Sequence, residues 1–549
     1  MAQPTETAGR GSPPTGKGPV LALLATAPRP GLSLRGCCPP LTPAEAGALQ
    51  TAWLKSAAQE LPGATVLLYG QPLDALPMLK YFAGPGVELR PHRFLPGVGG
   101  QEPIQALAAE LFAEGFGPVL VRLCDVPDVL ALAYTMGPTG ADAAIYVLSG
   151  DTGELVATMN GVVDGNINHA FGDIDGDGLP EVVAATPQGN VIAFEHDGAL
   201  KWTGAKGTWP TYANFGGTVN LGAYCHAFAI YDLDADGSPE ILGGFDVFDA
   251  QGQMKWSATG GLNDIPGEPF WCPTPTAADL DGDGMLEVIY GHAAYRHDGT
   301  LFWQVGGNPG HPHVANLDDD PEPEVLVNTD QGISLINHDG TVKFANLRPT
   351  GEGPSARCWG KPGVVHDFNG DGKADLATGT CNNYSVYAVG PTSLMANWNQ
   401  PVSDFSGLAT GTAFDFLGDG VADAIYADET TAYVFEGATG MLELSVPRAS
   451  GTLVEYPVVA DVDNDGSAEL VVVSNGVGGT LDTVTVYRDA MDRWTPARRV
   501  WNQHAYHVTN VREDGTIPQN MKKSWQLLNT FRTNSQVEAG GNCEPPTPR

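Results

Sequence analysis

Acidic segments of nine residues recur seven times in this sequence, and each carries carboxylates at fixed positions. The copies begin about 48 residues apart, a period typical of repeat architectures. Oxygen-bearing side chains recur at positions 1, 3, 5 and 9, and glycine at position 6 permits a left-handed bend. The seven copies read DIDGDGLPE from residue 173, DLDADGSPE from 232, DLDGDGMLE from 279, NLDDDPEPE from 316, DFNGDGKAD from 367, DFLGDGVAD from 415 and DVDNDGSAE from 461.

This spacing predicts one calcium site in each segment. Together with the backbone carbonyl at position 7, the side chains would surround one ion with hard oxygen ligands. Calcium takes six to eight such ligands at roughly 2.3–2.6 Å, whereas zinc prefers the His and Cys that these segments lack. The expected ligands are Asp173, Asp175, Asp177, Glu181, Asp232, Asp234, Asp236, Glu240, Asp279, Asp281, Asp283, Glu287, Asn316, Asp318, Asp320, Glu324, Asp367, Asn369, Asp371, Asp375, Asp415, Asp419, Asp423, Asp461, Asp463, Asp465 and Glu469.

Two of the segments depart from the pattern. The fourth has Asn316 at position 1 and Pro321 in place of glycine, and the sixth has Leu417 at position 3. We therefore expect five well-formed calcium sites and up to two weaker ones. The alternative interpretation is a set of solvated Asp-Gly turns, but sevenfold recurrence favours metal binding. Without metal the crowded carboxylates would repel one another, so calcium binding and folding should be linked.

Short apolar strands flank every acidic segment, so each segment should join two strands of a hairpin. A second turn follows at Asp-Gly, as in EHDGALKW from residue 195 and RHDGTLFW from residue 296. Asp-Gly between alternating apolar residues is typical of tight hairpins. Four antiparallel strands per repeat indicate propeller blades. The predicted fold class is mainly β: a seven-bladed β-propeller over residues 144–512, preceded by a small, truncated α/β domain.

The negative charge is concentrated in the repeat region. The whole chain has a formal net charge of -36, but residues 1–140 contain ten acids and nine bases. Such a field repels nucleic acid and anionic membranes and favours bound cations. We expect no membrane span, because no stretch of 18 apolar residues occurs. The N-terminal stretch also lacks the pattern of a signal peptide.

The repeat region resembles the FG-GAP (VCBS, integrin-α-like) repeat proteins. The resemblance extends over the whole predicted propeller, from 144 to 512. Its closest parts are DFLGDGVADAIYADETTAYVFEGATG, SGTLVEYPVVADVDNDGSAELVVVSN and RVWNQHAYHVTNVREDGTIP, which are similar to propellers of bacterial surface proteins. The resemblance implies calcium-binding loops and a role in adhesion, recognition or display. It also implies an extracellular or cell-surface location and a protein or glycan ligand on one propeller face. Apart from the resemblance, a monomer is the possibility that we consider for the oligomeric state.

The N-terminal region has a different pattern. Apolar strands such as VLALLATA and ATVLLYG alternate with helical segments, which predicts a parallel sheet. With RPGLSLRGCCPPLTPAEA and CDVPD, this order resembles the selenodomain-associated GT-A-like glycosyltransferases. That resemblance implies a nucleotide-sugar and metal site at Asp125 and Asp128. We divide the chain into a disordered tail (1–17), this truncated domain (18–136), a linker (137–143), the propeller (144–512) and a C-terminal extension (513–549).

Two enzymatic alternatives remain beside a non-catalytic binding module. One is a polysaccharide-active enzyme on the calcium propeller, which would need a basic residue in the central channel. The other is residual nucleotide-sugar transfer by the N-terminal domain, although its basic segment is reduced to Arg35. No nucleophile or catalytic pair stands apart from the calcium set, so we predict no catalytic residues.

A few further residues have the types needed for metal or disulfide chemistry. His504 and His507 could ligate a metal, but packing in the closing segment is the favoured interpretation. The tryptophans at strand ends, such as Trp303, are expected between blades rather than on a sugar-binding face. The cysteines could form two disulfides or remain reduced, and the pairs considered are Cys225 with Cys272 and Cys358 with Cys381.

Overall fold

The protein is described here by a computed structural model. The described residues are 142–150, 152–165, 167–209, 226–258, 273–307, 310–318, 320–404, 409–450, 455–474, 484–491 and 493–536, with the backbones of five earlier strands. The chain divides into two units, Met1–Pro127 and Asp128–Arg549. Among the described residues, no helix is long and apolar enough to cross a membrane.

Four parallel strands form a sheet in the first unit. Their order is β3-β2-β1-β4, and residues 20–24 of the central strand pair with both neighbours. The strands are β1 (Val20–Thr26), β2 (Thr65–Gln71), β3 (Val87–Pro91) and β4 (Val119–Leu123). Asp125 and Asp128 lie outside the described residues, so the transferase-like site stays a prediction.

The second unit is an eight-bladed β-propeller, so the predicted count of seven blades is wrong. The additional blade, blade 1, contains β5 (Leu130–Met136), β6 (Asp142–Ser149), β7 (Leu155–Thr158) and β8 (Val163–Asp164). Its strands β6 and β7 are joined by a tight turn in which the Ser149 and Gly153 amides take part. This blade has no acidic loop among its described residues. A count based on acidic loops could not find it.

Blades 2 to 8 follow in chain order, and a short strand, β9 (Ile167–Asn168), pairs with the first strand of blade 3. Their strands are, for blade 2, β10 (Ala170–Gly172), β11 (Glu181–Ala185), β12 (Asn190–Phe194) and β13 (Leu200–Lys206); for blade 3, β14 (His226–Tyr231), β15 (Glu240–Gly243), β16 (Asp246–Phe248) and β17 (Met254–Ser257); for blade 4, β18 (Thr276–Ala278), β19 (Glu287–Ile289), β20 (Ala293–Tyr295) and β21 (Leu301–Gln304); and for blade 5, β22 (His311–Ala315), β23 (Glu324–Thr329), β24 (Gly332–Asn337) and β25 (Val342–Leu347).

The remaining blades repeat this antiparallel meander. They contain, for blade 6, β26 (Val364–His366), β27 (Asp375–Thr380), β28 (Asn383–Gly390) and β29 (Ser393–Pro401); for blade 7, β30 (Gly411–Phe414), β31 (Asp423–Ala427), β32 (Thr431–Phe435) and β33 (Leu442–Pro447); and for blade 8, β34 (Val458–Ala460), β35 (Glu469–Val473) and β36 (Val484–Tyr487). Two short helices, α1 (Ala356–Trp359) and α2 (Ser524–Leu527), lie between blades 5 and 6 in the chain and after blade 8.

The hydrophobic core consists of layers between neighbouring blades. One layer joins Tyr231 and Val247 of blade 3 to Val288 of blade 4. The second strands of blades 2 to 7 are buried along their whole length, as in β11 and β23. Burial on both faces explains their nearly continuous apolar sequence. The loop between the first two strands of these blades is therefore attached to a fully buried strand.

Candidate metal centre

The acidic loops have the same position in blades 2 to 8, between the first and second strands. The loop at 173–181, for example, begins after β10 and ends at the start of β11. Position 6 has φ between 80° and 92° wherever it is glycine, which is the left-handed bend that the sequence indicates. These glycines are Gly178, Gly237, Gly284, Gly372, Gly420 and Gly466.

The carboxylate at position 1 organises its own loop. Oδ1 of Asp173 accepts the Gly176 amide at 2.7 Å, and Oδ2 accepts the Gly178 amide at 3.0 Å. Asp367 and Asp415 accept the corresponding two glycine amides of their loops. These bonds close the loop around its carboxylates, because they draw the backbone toward the position 1 side chain.

The carboxylate at position 9 is buried at the base of the loop. One of its oxygens accepts the amide of position 2 at 2.8–3.0 Å in five loops. The five acceptors are Glu181, Glu240, Glu287, Glu324 and Glu469, and each is at most 3% exposed. Because this bond uses only one oxygen, the second oxygen is left for another partner, as described below.

Five loops bring three carboxylates together, with oxygen atoms within 4.8 Å of one another. Those oxygens form a small group of hard ligands, which suits a divalent cation such as Ca²⁺. The converging sets are Asp173, Asp175 and Glu181; Asp232, Asp234 and Asp236; Asp279, Asp281 and Glu287; Asp318, Asp320 and Glu324; and Asp461, Asp463 and Asp465.

Other predicted ligands stand less close together. Within the described residues, no such triad forms in the loops at 367–375 and 415–423. In the latter, Leu417 at position 3 is 67% exposed and contributes no oxygen. In the loop at 316–324, the side-chain amide of Asn316 donates to the Asp320 carbonyl at 2.7 Å. Asn316 therefore stabilises the conformation of its own loop.

Burial makes several of these carboxylates hard to ionise. It raises the pKa of Glu469 to about 9, and the neighbouring Asp463 carboxylate adds to the rise. Burial likewise raises the pKa of Asp423 to about 8, with a further contribution from Glu443. Asp375 and Asp461 have pKa values of about 7, again because of burial first and nearby acids second. A bound cation would favour the ionised form of each.

Basic side chains also reach into some loops. Lys201 lies 2.6 Å from Asp175 and 3.2 Å from Glu181, and Lys255 lies 2.7 Å from Glu240. Lys343 pairs with both Asp318 and Glu324. The sequence analysis missed these lysines. Their signal in the sequence is a lysine directly before an aromatic residue in LKW, MKW and VKF.

A C-terminal segment, residues 515–536, contacts blades 2 to 8 in succession, and we call it the C-terminal belt. It lies beside the start of the acidic loops. The Asp173 amide, for example, donates to the Gly515 carbonyl at 3.0 Å. The further contacts in chain order join Gln519 to Ala235, Lys523 to Asp279, Asn529 to Asn316, Phe531 to Val365, Arg532 to Thr412 and Asn534 to Val459.

Arg532 of the belt is a deeply buried basic residue, at 1% exposure. Its guanidinium donates to the His504 carbonyl and lies 4.7 Å from the centre of the Tyr456 ring. Burial lowers its pKa to about 10. His507 is stacked on Tyr231. Both histidines are therefore packed in the closing segment, as the favoured interpretation of the sequence predicts.

The predicted disulfides and the predicted tryptophan contacts lie partly within the described residues. Cys358 and Cys381 form a disulfide, whereas Cys225 and Cys272 lie outside the described residues. Trp303 packs against the turn of the next blade, and its indole nitrogen donates to the His338 carbonyl at 2.9 Å. The predicted place of this tryptophan between blades is thus confirmed.

Comparison with known proteins supports the propeller and its repeat type. Residues 173–243 match the FG-GAP-like repeat family. The crystal structure of the V. cholerae biofilm matrix protein Bap1 is similar with a TM-score of 0.59 and 20% identity, covering 75% of this chain and 93% of that one. At this identity the similarity shows the fold alone. No curated protein matches this chain.

Two lyase structures are more distantly similar. The Bacillus licheniformis rhamnogalacturonan lyase PL11 has a TM-score of 0.44 and 16% identity, with coverage of 76% of this chain and 79% of that one. The exotype rhamnogalacturonan lyase YesX has a TM-score of 0.43 and 17% identity, with coverage of 61% and 64%. No conclusion about function follows from similarities at this level.

Proposed function

We propose that this chain is a calcium-binding FG-GAP-type propeller that acts outside the cell as a non-catalytic binding or adhesion module. The observation that carries the metal part is the convergence of three carboxylates within one acidic loop, as at Asp461, Asp463 and Asp465. Their chemistry fits a hard cation, because all the converging atoms are oxygens. Burial raises the pKa of Glu469 to about 9, and a cation bound beside it would offset this rise by favouring the ionised form.

Calcium would supply two positive charges to a loop and offset the repulsion between its carboxylates. The chain holds those carboxylates in place through the position 1 bonds to glycine amides and the position 9 bond to position 2. Extracellular calcium modules have dissociation constants of about 10⁻⁴–10⁻³ M. At millimolar calcium, each filled site would then stabilise the propeller by about 1 kcal/mol.

The location and the type of partner rest on separate observations. The Cys358–Cys381 disulfide favours an oxidising compartment. The similar fold of a biofilm matrix protein makes adhesion the favoured role, with a protein or a glycan as ligand on a propeller face. The acid-rich composition, with 64 Asp and Glu against 28 Lys and Arg, argues against nucleic acid as that ligand.

Thermal unfolding of the full chain in calcium and in EDTA tests the metal part of the proposal. We expect a higher midpoint in 2 mM calcium than in EDTA, and a smaller effect of magnesium, which demands a stricter octahedral geometry. Identical curves in calcium and EDTA would contradict calcium binding. Retention of the chain on immobilised matrix polysaccharide and on matrix protein, with and without calcium, tests the binding role. Failure to bind either support would refute it.

A further inference from the structure

One residue of the fourth strand bulges toward the acidic loop of its own blade. In blade 2, Phe194 pairs with Leu200 and Ala193 with Trp202, so the residue between them, Lys201, has no partner across the ladder. A bulge of this kind redirects the side chain that it releases. The Lys201 ammonium bonds to Asp175 at 2.6 Å and to Glu181 at 3.2 Å.

The same bulge recurs with lysine in two other blades. Lys255 of blade 3 donates to the second oxygen of Glu240 at 2.7 Å and to Asp234 at 3.4 Å. Lys343 of blade 5 donates to the second oxygen of Glu324 and to Asp318. In all three blades an ammonium group therefore contacts the position 9 carboxylate and the position 3 carboxylate, where a metal ion would be bound.

Blade 6 has no lysine at the bulge, and blade 8 has no fourth strand among the described residues. The bulge residue in blade 6 is Asn397. There the position 9 carboxylate, Asp375, is 2% exposed, and its Oδ2 has no hydrogen-bond partner within the described part of the chain.

Blade 8 shows the same feature at two carboxylates. Oε1 of Glu469 and Oδ1 of Asp461 are buried without a hydrogen-bond partner among the described residues. Glu469 is 1% exposed and Asp461 is 5% exposed. In this loop Asp461 also converges with Asp463 and Asp465. The Arg488 guanidinium lies 3.3 Å from Asp463 and 3.9 Å from Asp465, so it contacts positions 3 and 5 and leaves these oxygens of Asp461 and Glu469 unsatisfied among the described residues. A buried carboxylate oxygen without a partner is costly, and a cation would satisfy it.

We propose that a divalent cation such as Ca²⁺ binds the loops at 461–469 and 367–375, whereas a lysine ammonium takes its place in the loops at 173–181 and 316–324. The loop at 232–240 is assigned to neither group, because Oδ1 of Asp234 is buried without a hydrogen-bond partner among the described residues although Lys255 is present. This inference rests on the proposed calcium function and specifies where the ions bind. The number of bound ions is then smaller than the number of acidic loops. In blades 2, 5 and 6, the residue at the bulge decides whether the loop contains a lysine ammonium or a bound metal cation.

Equilibrium dialysis of the full chain against calcium, with the bound metal measured by mass spectrometry, tests this assignment. Lys201→Gln removes the ammonium while keeping a polar side chain, and we expect it to bind about one more ion per chain than the wild type. Lys206→Gln is the matched control, since Lys206 is an exposed lysine on the same strand. The control should leave the number unchanged.

A second pair of variants keeps the test decisive if Lys201→Gln does not fold. Glu469→Gln should lose about one ion per chain, whereas Glu181→Gln should lose none, because Lys201 already occupies that loop. Equal losses in these two variants, or no gain in folded Lys201→Gln, would overturn the assignment while leaving calcium binding intact. A wild-type chain that binds no calcium at all would instead refute the proposed function.

Discussion

Replacing Gly340 with alanine should loosen the contact between blades 4 and 5. Gly340 lies in the tight turn between β24 and β25 with φ of 88°. A Cβ atom there would lie 2.8 Å from the Cβ of Trp303 and 2.9 Å from its Cγ. The Trp303 ring packs over this turn and donates to the His338 carbonyl. The substitution therefore strains the backbone and displaces the tryptophan.

Two contributions set the magnitude. A left-handed conformation costs a non-glycine residue about 1–2 kcal/mol. Overpacking against a buried ring costs about 1–3 kcal/mol more, and displacement of Trp303 also weakens its hydrogen bond to His338. Gly351 provides the control, because it has φ of 86° and an added Cβ would meet no atom within 4 Å. Gly351→Ala should thus show the backbone cost alone.

Hydrogen exchange of the slowest amides of the propeller measures the difference, because these amides exchange through global unfolding and so report the cost of a strained residue in either place. An additional 1–3 kcal/mol corresponds to roughly 5- to 150-fold faster exchange in Gly340→Ala than in Gly351→Ala. Similar exchange in both variants would refute the reasoning, since it would mean that the contact with Trp303 does not hold the blades together.

Two further predictions concern the belt and the buried histidines. Asn529→Ala should destabilise the propeller by about 2 kcal/mol, because the side-chain amide of Asn529 makes two 2.7 Å hydrogen bonds to the backbone of Asn316. An unchanged midpoint of urea unfolding would argue against a stabilising role of this contact. Burial lowers the pKa of His313 to about 3, so between pH 6.5 and 3 the unfolded chain binds a proton that the folded chain does not. The free energy of unfolding should therefore fall by about 1.4 kcal/mol for each unit by which the pH is lowered in this range. In His313→Gln, the free energy of unfolding in urea should depend less steeply on pH, and parallel profiles of the two proteins would contradict the assignment.

The local features of the loops and turns could be predicted from the sequence. Glycine at position 6 requires a left-handed bend, and the structure has it in six loops. Asp-Gly before Trp303 predicts a tight turn, and residues 296–300 form one. These features depend on a few neighbouring residues, whose backbone preferences are strong enough to determine the conformation.

Features that depend on strand register or on distant contacts could not be predicted. Blade 1 was missed because its described residues include no acidic loop. The role of Lys201 depends on a bulge in the pairing of β12 with β13, and the LKW pattern alone does not specify the strand register that creates this bulge. The contact of Asn529 with Asn316 joins residues 213 positions apart. Nothing in the local sequence of Asn529 indicates its partner.

The C-terminal belt gives the acidic loops a common support. Its contacts with Asp173, Asp279 and Asn316 involve residues at position 1 of three different loops. Position 1 is also the residue whose side chain closes the loop in blades 2, 6 and 7. Docking of the belt and ordering of the loops therefore stabilise each other, because the belt bonds to the backbone of Asp173 and Asn316 and to the carboxylate of Asp279. Cations bound in the loops should then strengthen the attachment of the belt, and this linkage would hold the belt against blades that come much earlier in the chain.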